Sequence, residues 1–238
     1  MNTVLITGAS RGIGKSIAIE LGKSGYEVYG TATTQDGVYS INGYLEANGI
    51  NGQGILLNVN NYDAYKDALS IISNPISVLI NNAGITRDKI LFRMLDDDWD
   101  SVLNTNLKSV FKLSKYISAQ MMKQKYGRIV NISSVSAFKG QVGHSNYMAA
   151  KSGLIGLTRG LASELGRYNI TVNCVAPGLI ETDMTKDLPY LEEEIKKLPI
   201  SRIGKPEDVA NVVKFLVNEN SGYITGTTIH VNGGMYMN

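Results

Sequence analysis

The chain has 238 residues, 43% hydrophobic and 18% charged, enough apolar material to bury a sizeable core and too much for a disordered segment. Its 23 Lys plus Arg against 21 Asp plus Glu leave a formal charge of +2, an even balance that argues against a dedicated nucleic-acid binder. The one cysteine, Cys174, cannot close an internal disulfide, and the only histidines, His144 and His230, do not build a zinc site, so no metal is expected and a cytoplasmic location fits. The start of the chain lacks a basic n-region, and no apolar run reaches the roughly 20 residues of a membrane span, so a protein without membrane contact is expected.

Short β-branched runs at Thr3 to Thr7, Glu27 to Thr31, Gly54 to Val59, Val78 to Asn81, Arg128 to Ile132, Ile170 to Ala176 and Thr227 to Val231 predict seven strands. Between them, helical periodicity appears near Ile13 to Lys23, Tyr62 to Ile72, Trp99 to Lys125, Asn146 to Tyr168 and Pro206 to Val217. This alternation predicts an α/β fold, a doubly wound Rossmann-type parallel sheet with helices on both faces, in which ligands sit at the carboxyl ends of the strands. No linker marks a boundary, so residues 1–238 read as a single domain. The run Asp96-Asp97-Asp98 reads as helix-capping carboxylates, not a metal site. Residues 177–205 break the alternation and are expected to form a substrate lid.

The first predicted strand ends in Thr7-Gly8-Ala9-Ser10-Arg11-Gly12-Ile13-Gly14, directly before a helix. Glycines there let the backbone turn sharply and approach a pyrophosphate at the helix N-terminus. The same residues spell G-x-S-x-G, but a hydrolase elbow would need a later acid and histidine, and neither His144 nor His230 is suitably placed. At the end of the second strand, Gly30-Thr31-Ala32-Thr33-Thr34 offers no carboxylate, and Asp36 falls several residues into the expected loop. Arg11 and the Thr33 hydroxyl could instead hold a 2′-phosphate, which favours NADP(H) over NAD(H).

Tyr147 and Lys151 stand four apart in a helical segment, hence on one face, one turn apart. Taken alone, such a pair is ordinary helix surface. Its support is the preceding strand, which ends in Ser133-Ser134 and places hydroxyls at the ligand-binding edge of the sheet.

Thr7 to Gly14, Asn81-Asn82-Ala83-Gly84, Asn106, Ser134, Tyr147-x-x-x-Lys151 and Pro177-Gly178 together resemble the short-chain dehydrogenase/reductase family over nearly the whole chain. Asn82 to Asp88, Gly178 to Met184 and Val231-Asn-Gly-Gly-Met-Tyr-Met look closest to its bacterial members that reduce 3-oxoacyl groups on acyl carrier protein in fatty-acid synthesis. The resemblance implies an NADPH-dependent oxidoreductase in which Tyr147 protonates the substrate ketone. Because a free Tyr has a pKa of about 10, Lys151 is expected to lower it by its charge while also contacting the nicotinamide ribose. Ser134 would orient the carbonyl and stabilise oxyanion charge. Asn106 would sit at a helix irregularity and hold a water of the proton relay; taken alone, the residue has a serious rival reading as a mid-helix Asn bonded to a backbone carbonyl.

Cofactor contacts implied by the resemblance come from Gly8, Ser10, Arg11, Gly12, Ile13 and Gly14 in the turn, and from Thr33 after the second strand. Asn58 and Val59 lie where relatives carry Asp-Val at the adenine, and Asn82, Ala83 and Gly84 would lie beneath the ribose. Pro177, Gly178 and Ile180 complete the set. An acyl carrier protein would be steered by a basic patch near the cleft, for which Lys123, Lys125, Arg128 and Arg167 are the candidates, and a homotetramer is implied. Two alternatives stay open: another short-chain reductase, such as one for 3-oxoacyl-CoA, and a non-catalytic NADP-binding regulatory protein. Cys174 and His230 are expected in the core, and His144 in a loop.

Overall fold

The computed structural model describes residues 2–183, 185 and 191–237. Seven strands appear in chain order: β1 (Thr3–Ile6), β2 (Glu27–Ala32), β3 (Gly52–Leu56), β4 (Ile76–Asn81), β5 (Gly127–Ile132), β6 (Ile170–Pro177) and β7 (Thr228–Val231). They form one sheet of order β3-β2-β1-β4-β5-β6-β7, and every neighbouring pair is parallel. This is the doubly wound sheet expected from the sequence. The order reverses between β1 and β4, and the crevice above their carboxyl ends is where such sheets take ligands.

The helices are α1 (Gly12–Lys23), α2 (Gln35–Ala47), α3 (Tyr65–Leu69), α4 (Asp96–Leu103), α5 (Ser109–Gln124), α6 (Ser145–Leu165), α7 (Leu191–Lys197) and α8 (Pro206–Val217). Strand side chains alternate between the faces with period two. Val4, Ile6, Val28, Val78 and Ile80 pack with α1, α2 and α8. Leu5, Tyr29, Leu79 and Ile129 pack with α3, α5 and α6. Burial on both faces explains why the central strands read as continuous apolar runs.

Several local expectations change. Helix α2 was not expected, because Gly37, Asn42 and Gly43 depress its propensity; Val38, Ile41, Tyr44 and Leu45 are nevertheless buried against the sheet. Asp36 therefore sits in the first turn of α2 and not in a loop. Strand β3 begins and ends earlier than expected, leaving Asn58 and Val59 just beyond its carboxyl end. The segment expected as one helix from Trp99 to Lys125 starts at Asp96 and contains a π-helical stretch, Asn104–Lys108, between α4 and α5. Asp98 Oδ2 accepts the Leu95 backbone N–H at 3.3 Å, so the acidic run does cap a helix. Helix α7 occupies part of the 177–205 excursion, while residues 184 and 186–190 of that expected lid lie outside the described residues.

A buried amide ladder stiffens the middle of the sheet. Asn81 and Asn131 are register partners on β4 and β5, and Asn81 Nδ2 donates to Asn131 Oδ1 at 2.8 Å and to Ser114 Oγ on α5 at 3.1 Å. Asn131 Nδ2 donates to Thr158 Oγ1 on α6 at 2.9 Å. Buried amides of this kind require full pairing, and here the pairing sets α6 at a fixed height on the sheet.

Candidate active site

A cleft of about 1290 Å³ runs along the carboxyl edge of the sheet. One end is the glycine turn between β1 and α1. Gly8 (φ +64) and Gly12 (φ +55) adopt left-handed backbone there, which other residues reach only at a cost. Thr7 Oγ1 accepts the backbone N–H groups of Asn82 (2.9 Å) and Ala83 (3.0 Å), and Asn82 Nδ2 returns bonds to the carbonyls of Thr7 and Gly8. Asn82 thus acts as a clamp on the turn, a role its sequence context did not show. A Cβ on Gly14 would collide with the Gly8 carbonyl and lie 2.6 Å from Asn82 Nδ2, so this glycine permits close helix-to-strand packing and lies behind the cleft wall instead of lining it.

The first turn of α1 holds no acidic residue, and its N-cap, Arg11, makes no side-chain cap. An uncapped N-terminus behind left-handed glycines fits the phosphates of a dinucleotide. Gly8, Ser10, Arg11, Gly12, Ile13, Thr33, Asn58, Val59, Asn82, Ala83 and Gly84 all line this end of the cleft, and Pro177, Gly178 and Ile180 line the wall after β6. Arg11 is not free for a ligand: its Nη1 lies 3.4 Å from Asp183 Oδ2, both side chains being largely exposed.

The other end is built by β5 and α6. Ser134 follows β5, where its Oγ accepts the Ser136 N–H at 3.1 Å and also faces the Tyr147 phenol, an interaction that lowers the phenol's pKa. Ser133 points elsewhere, donating to the Lys151 carbonyl at 2.8 Å. That divergence separates two adjacent serines the sequence left equivalent. Asn146, fully buried, ties the start of α6 to the Arg87 and Asp98 carbonyls at 3.0 and 3.1 Å, a positioning role missed in the sequence.

The expected electrostatics of Tyr147 are corrected. Burial pushes the phenol up to about 12, with the nearby Asp88 carboxylate adding to the rise, and Lys151 does not bring it down. Lys151 is buried, donates from Nζ to the Ile132 carbonyl at 2.7 Å, and stands 5.6 Å from the centre of the Tyr147 ring. Burial pushes its own pKa down to about 8, because an ammonium is poorly solvated there. Beneath it, Cys174 is buried with its thiol pushed up to about 11 by burial, consistent with an inert core residue.

Asn106 lies in the π-helical stretch, but its side chain does not line the cleft. It is fully buried, with Oδ1 accepting the Ile85 N–H and Nδ2 donating to the Ile85 carbonyl, both at 2.9 Å. Its side chain thus bonds backbone and fixes the segment after Gly84.

The four residues expected to dock a carrier protein are not near the cleft. Lys123 and Lys125 end α5, Arg128 begins β5 and Arg167 follows α6, so all four gather at the amino ends of the strands. The cause is general: helices returning from the carboxyl edge finish at the amino edge, and cations collect at their C-termini. Arg128 is also buried, donating to the Gly127 and Asn169 carbonyls at 2.9 and 3.3 Å. His230 is half-buried in a ring cluster with Phe138 and Tyr236. Among the described residues no cluster could hold a metal, and no helix is long and apolar enough to cross a membrane.

A family model described as enoyl-(acyl carrier protein) reductase matches residues 8–236. The chain is 49% identical over 238 residues to the 3-oxoacyl-[acyl-carrier-protein] reductase FabG of Pseudomonas aeruginosa, covering 98% of this chain and 96% of that one. Identity to the protein of the same name from Escherichia coli (strain K12) is 48% with the same coverage. A crystal structure of 3-oxoacyl-[acyl-carrier protein] reductase from Brucella melitensis superposes with a TM-score of 0.95 at 34% identity, covering 100% of this chain and 92% of that one.

Proposed function

The chain belongs to the short-chain dehydrogenase/reductase family, and from that premise we propose that it reduces a 3-oxoacyl thioester on acyl carrier protein to the 3-hydroxyacyl thioester with NADPH, as a step of fatty-acid synthesis in the cytoplasm. The observation that carries the reading is that Ser134, Tyr147 and Lys151 face the same cleft as the glycine turn. When bound along the cleft, NADPH supplies the hydride to the carbonyl carbon. The chain's own residues supply the rest.

Ser134 Oγ and Tyr147 Oη offer two donors to one carbonyl oxygen, orienting it and meeting the charge that develops on it. A phenol held at about 12 stays protonated at neutral pH, so Tyr147 is ready to donate and needs no prior proton uptake. Lys151, with a pKa near 8, can hold or release a proton at working pH and serves as the inner end of a relay. Asn106 contributes by fixing Ile85 at the substrate side. Residues 177–205 act as a substrate lid of a single catalytic domain; Thr182, Asp183, Leu191 and Lys197, all on the cleft wall, support this. The 2′-phosphate lies against Arg11 and Thr33, which requires Arg11 to share or exchange its contact with Asp183. The working form is a homotetramer, a reading supported by the exposed Leu91, Phe92, Leu95 and Trp99.

The test is NADPH oxidation by purified protein with an acetoacetyl thioester on carrier protein and on coenzyme A, with NADH in parallel. A crotonyl thioester is added because the matching family model is described by enoyl reduction. Preference for the oxo substrate on carrier protein with NADPH supports the reading. Faster reduction of the crotonyl thioester, or of the coenzyme A substrate, replaces it with the corresponding alternative.

A further inference from the structure

His144 bridges two acceptors at the mouth of the cleft. Its Nε2 lies 3.4 Å from Asp88 Oδ2, and its Nδ1 lies 3.0 Å from the Val142 carbonyl oxygen. The Val142 carbonyl can only accept, so Nδ1 donates to it, and with a proton on Nε2 as well the ring is an imidazolium facing the Asp88 carboxylate. The ring also meets Tyr147 edge to face, with centroids 6.5 Å apart and planes at 81°. Asp88, Val142, His144 and Tyr147 all line the cleft.

This pair joins two anchored segments. Asp88 lies in a stretch held at Ile85 by both Oδ1 and Nδ2 of Asn106, at Arg87 by Asn146, and at Lys89 by its N–H bond to the Gly143 carbonyl at 2.9 Å. The Asp88 carboxylate from this stretch and the Tyr147 phenol from α6 are the titratable groups that face the ring. Lys89, Arg87 and Asp98 join the cluster through backbone groups. An Asp88 carboxylate without a cation beside it would act on Tyr147 as a like charge, disfavouring loss of the phenol proton.

We propose that His144 is a positioning residue for Tyr147: as imidazolium it offsets the Asp88 carboxylate and holds the Val142 turn, so that the phenol can release its proton to the substrate. This rests on the reading of Tyr147 as the proton donor in ketone reduction. Nothing in the sequence beyond a lone loop histidine signalled it, because Asp88 and His144 are 56 positions apart and meet only in the fold.

Two measurements test it. Steady-state reduction of an acetoacetyl thioester is compared for wild type, His144→Gln, His144→Lys, Asp88→Asn and the double variant His144→Gln/Asp88→Asn. The expected result is a kcat loss of about fivefold to tenfold in His144→Gln with KM little changed, and most of the rate kept in His144→Lys. In the Asp88→Asn background the same His144→Gln change should cost less than about twofold. Independently, His144 and His230 are the only histidines, so His144→Gln assigns the ring signals by NMR. In Asp88→Asn the His144 ring signal should shift while that of His230 stays. An unmoved His144 signal, or an equal kcat loss with and without Asp88, overturns the proposal. A wild type that reduces no thioester while the His144 signal moves overturns the reading of function alone.

Discussion

Lys151 Nζ is bonded to the Ile132 carbonyl at 2.7 Å and sits 5.6 Å from the centre of the Tyr147 ring. The helix puts the two residues on one face, yet the ammonium is anchored to the end of β5 and not to the phenol. Tyr147 accordingly keeps a raised phenol pKa, and the proposed reduction draws on its proton and not on a phenolate. Tyr147→Phe should therefore lower kcat about 10²–10⁴-fold while NADPH affinity and Tm stay close to wild type. Retention of more than a tenth of the wild-type rate would remove Tyr147 from the role of acid.

Lys151 gives a pH prediction. Its folded pKa of about 8 lies below the usual value of 10.5. Below pH 8 both folded and unfolded chains carry the charge, and its burial opposes folding. Between about 8 and 10.5 the folded chain gives up its proton first, so this contribution to stability improves as pH rises. Lys151→Met should therefore raise Tm at pH 7, with the gap closing by pH 10. The wild-type rate of reduction should bend downward near pH 8 as the ammonium is lost, which a kcat/KM profile would show.

Gly14→Ala places a methyl against the Gly8 carbonyl and 2.6 Å from Asn82 Nδ2. Backbone cannot yield there as a flexible side chain would. The expected cost is about 1–3 kcal/mol of stability, measured by urea unfolding, with a matching loss of NADPH affinity because the clamp of Asn82 on the turn is displaced.

Arg11→Ala removes a largely exposed side chain whose partner, Asp183, is also exposed. Such a pair contributes little to folding, so Tm should hardly change. NADPH affinity should fall about tenfold or more and NADH affinity by much less, since only the former carries a 2′-phosphate. Equal losses in a binding titration would put that phosphate elsewhere.

Asn106→Leu leaves the N–H and carbonyl of Ile85 without their partners. Two part-buried backbone groups left without these partners should cost about 1–2 kcal/mol, visible as a lower Tm. Hydrogen exchange at Ile85 should quicken in the same variant.

How far the sequence reached can be read from particular elements. Strong apolar runs such as Val78 to Asn81 declared their strands because burial on both faces leaves little choice of residue. Helix α2 did not declare itself, since Gly37 and Gly43 weaken its local signal and the tertiary burial of Val38, Ile41 and Leu45, added to the Thr34 side-chain cap, stabilises it. The glycine turn and the Tyr147–Lys151 spacing were legible because backbone sterics and the helical repeat are local facts.

The four cations expected near the cleft were misplaced for the complementary reason. Their charge is visible in sequence, but which edge of the sheet receives it depends on the direction of every strand and return helix. The same holds for Tyr147, whose pKa is set by the protein packed around it more than by the lysine one turn away. Sequence by itself determined the alternation of elements, the glycine turn and the identity of the hydroxyl and ammonium groups, since each follows from contacts within a few residues. Tertiary structure alone decided which of two adjacent serines faces the phenol, where the ammonium is anchored and what His144 touches, because solvent exclusion and long-range hydrogen bonds exist only once distant segments are brought together.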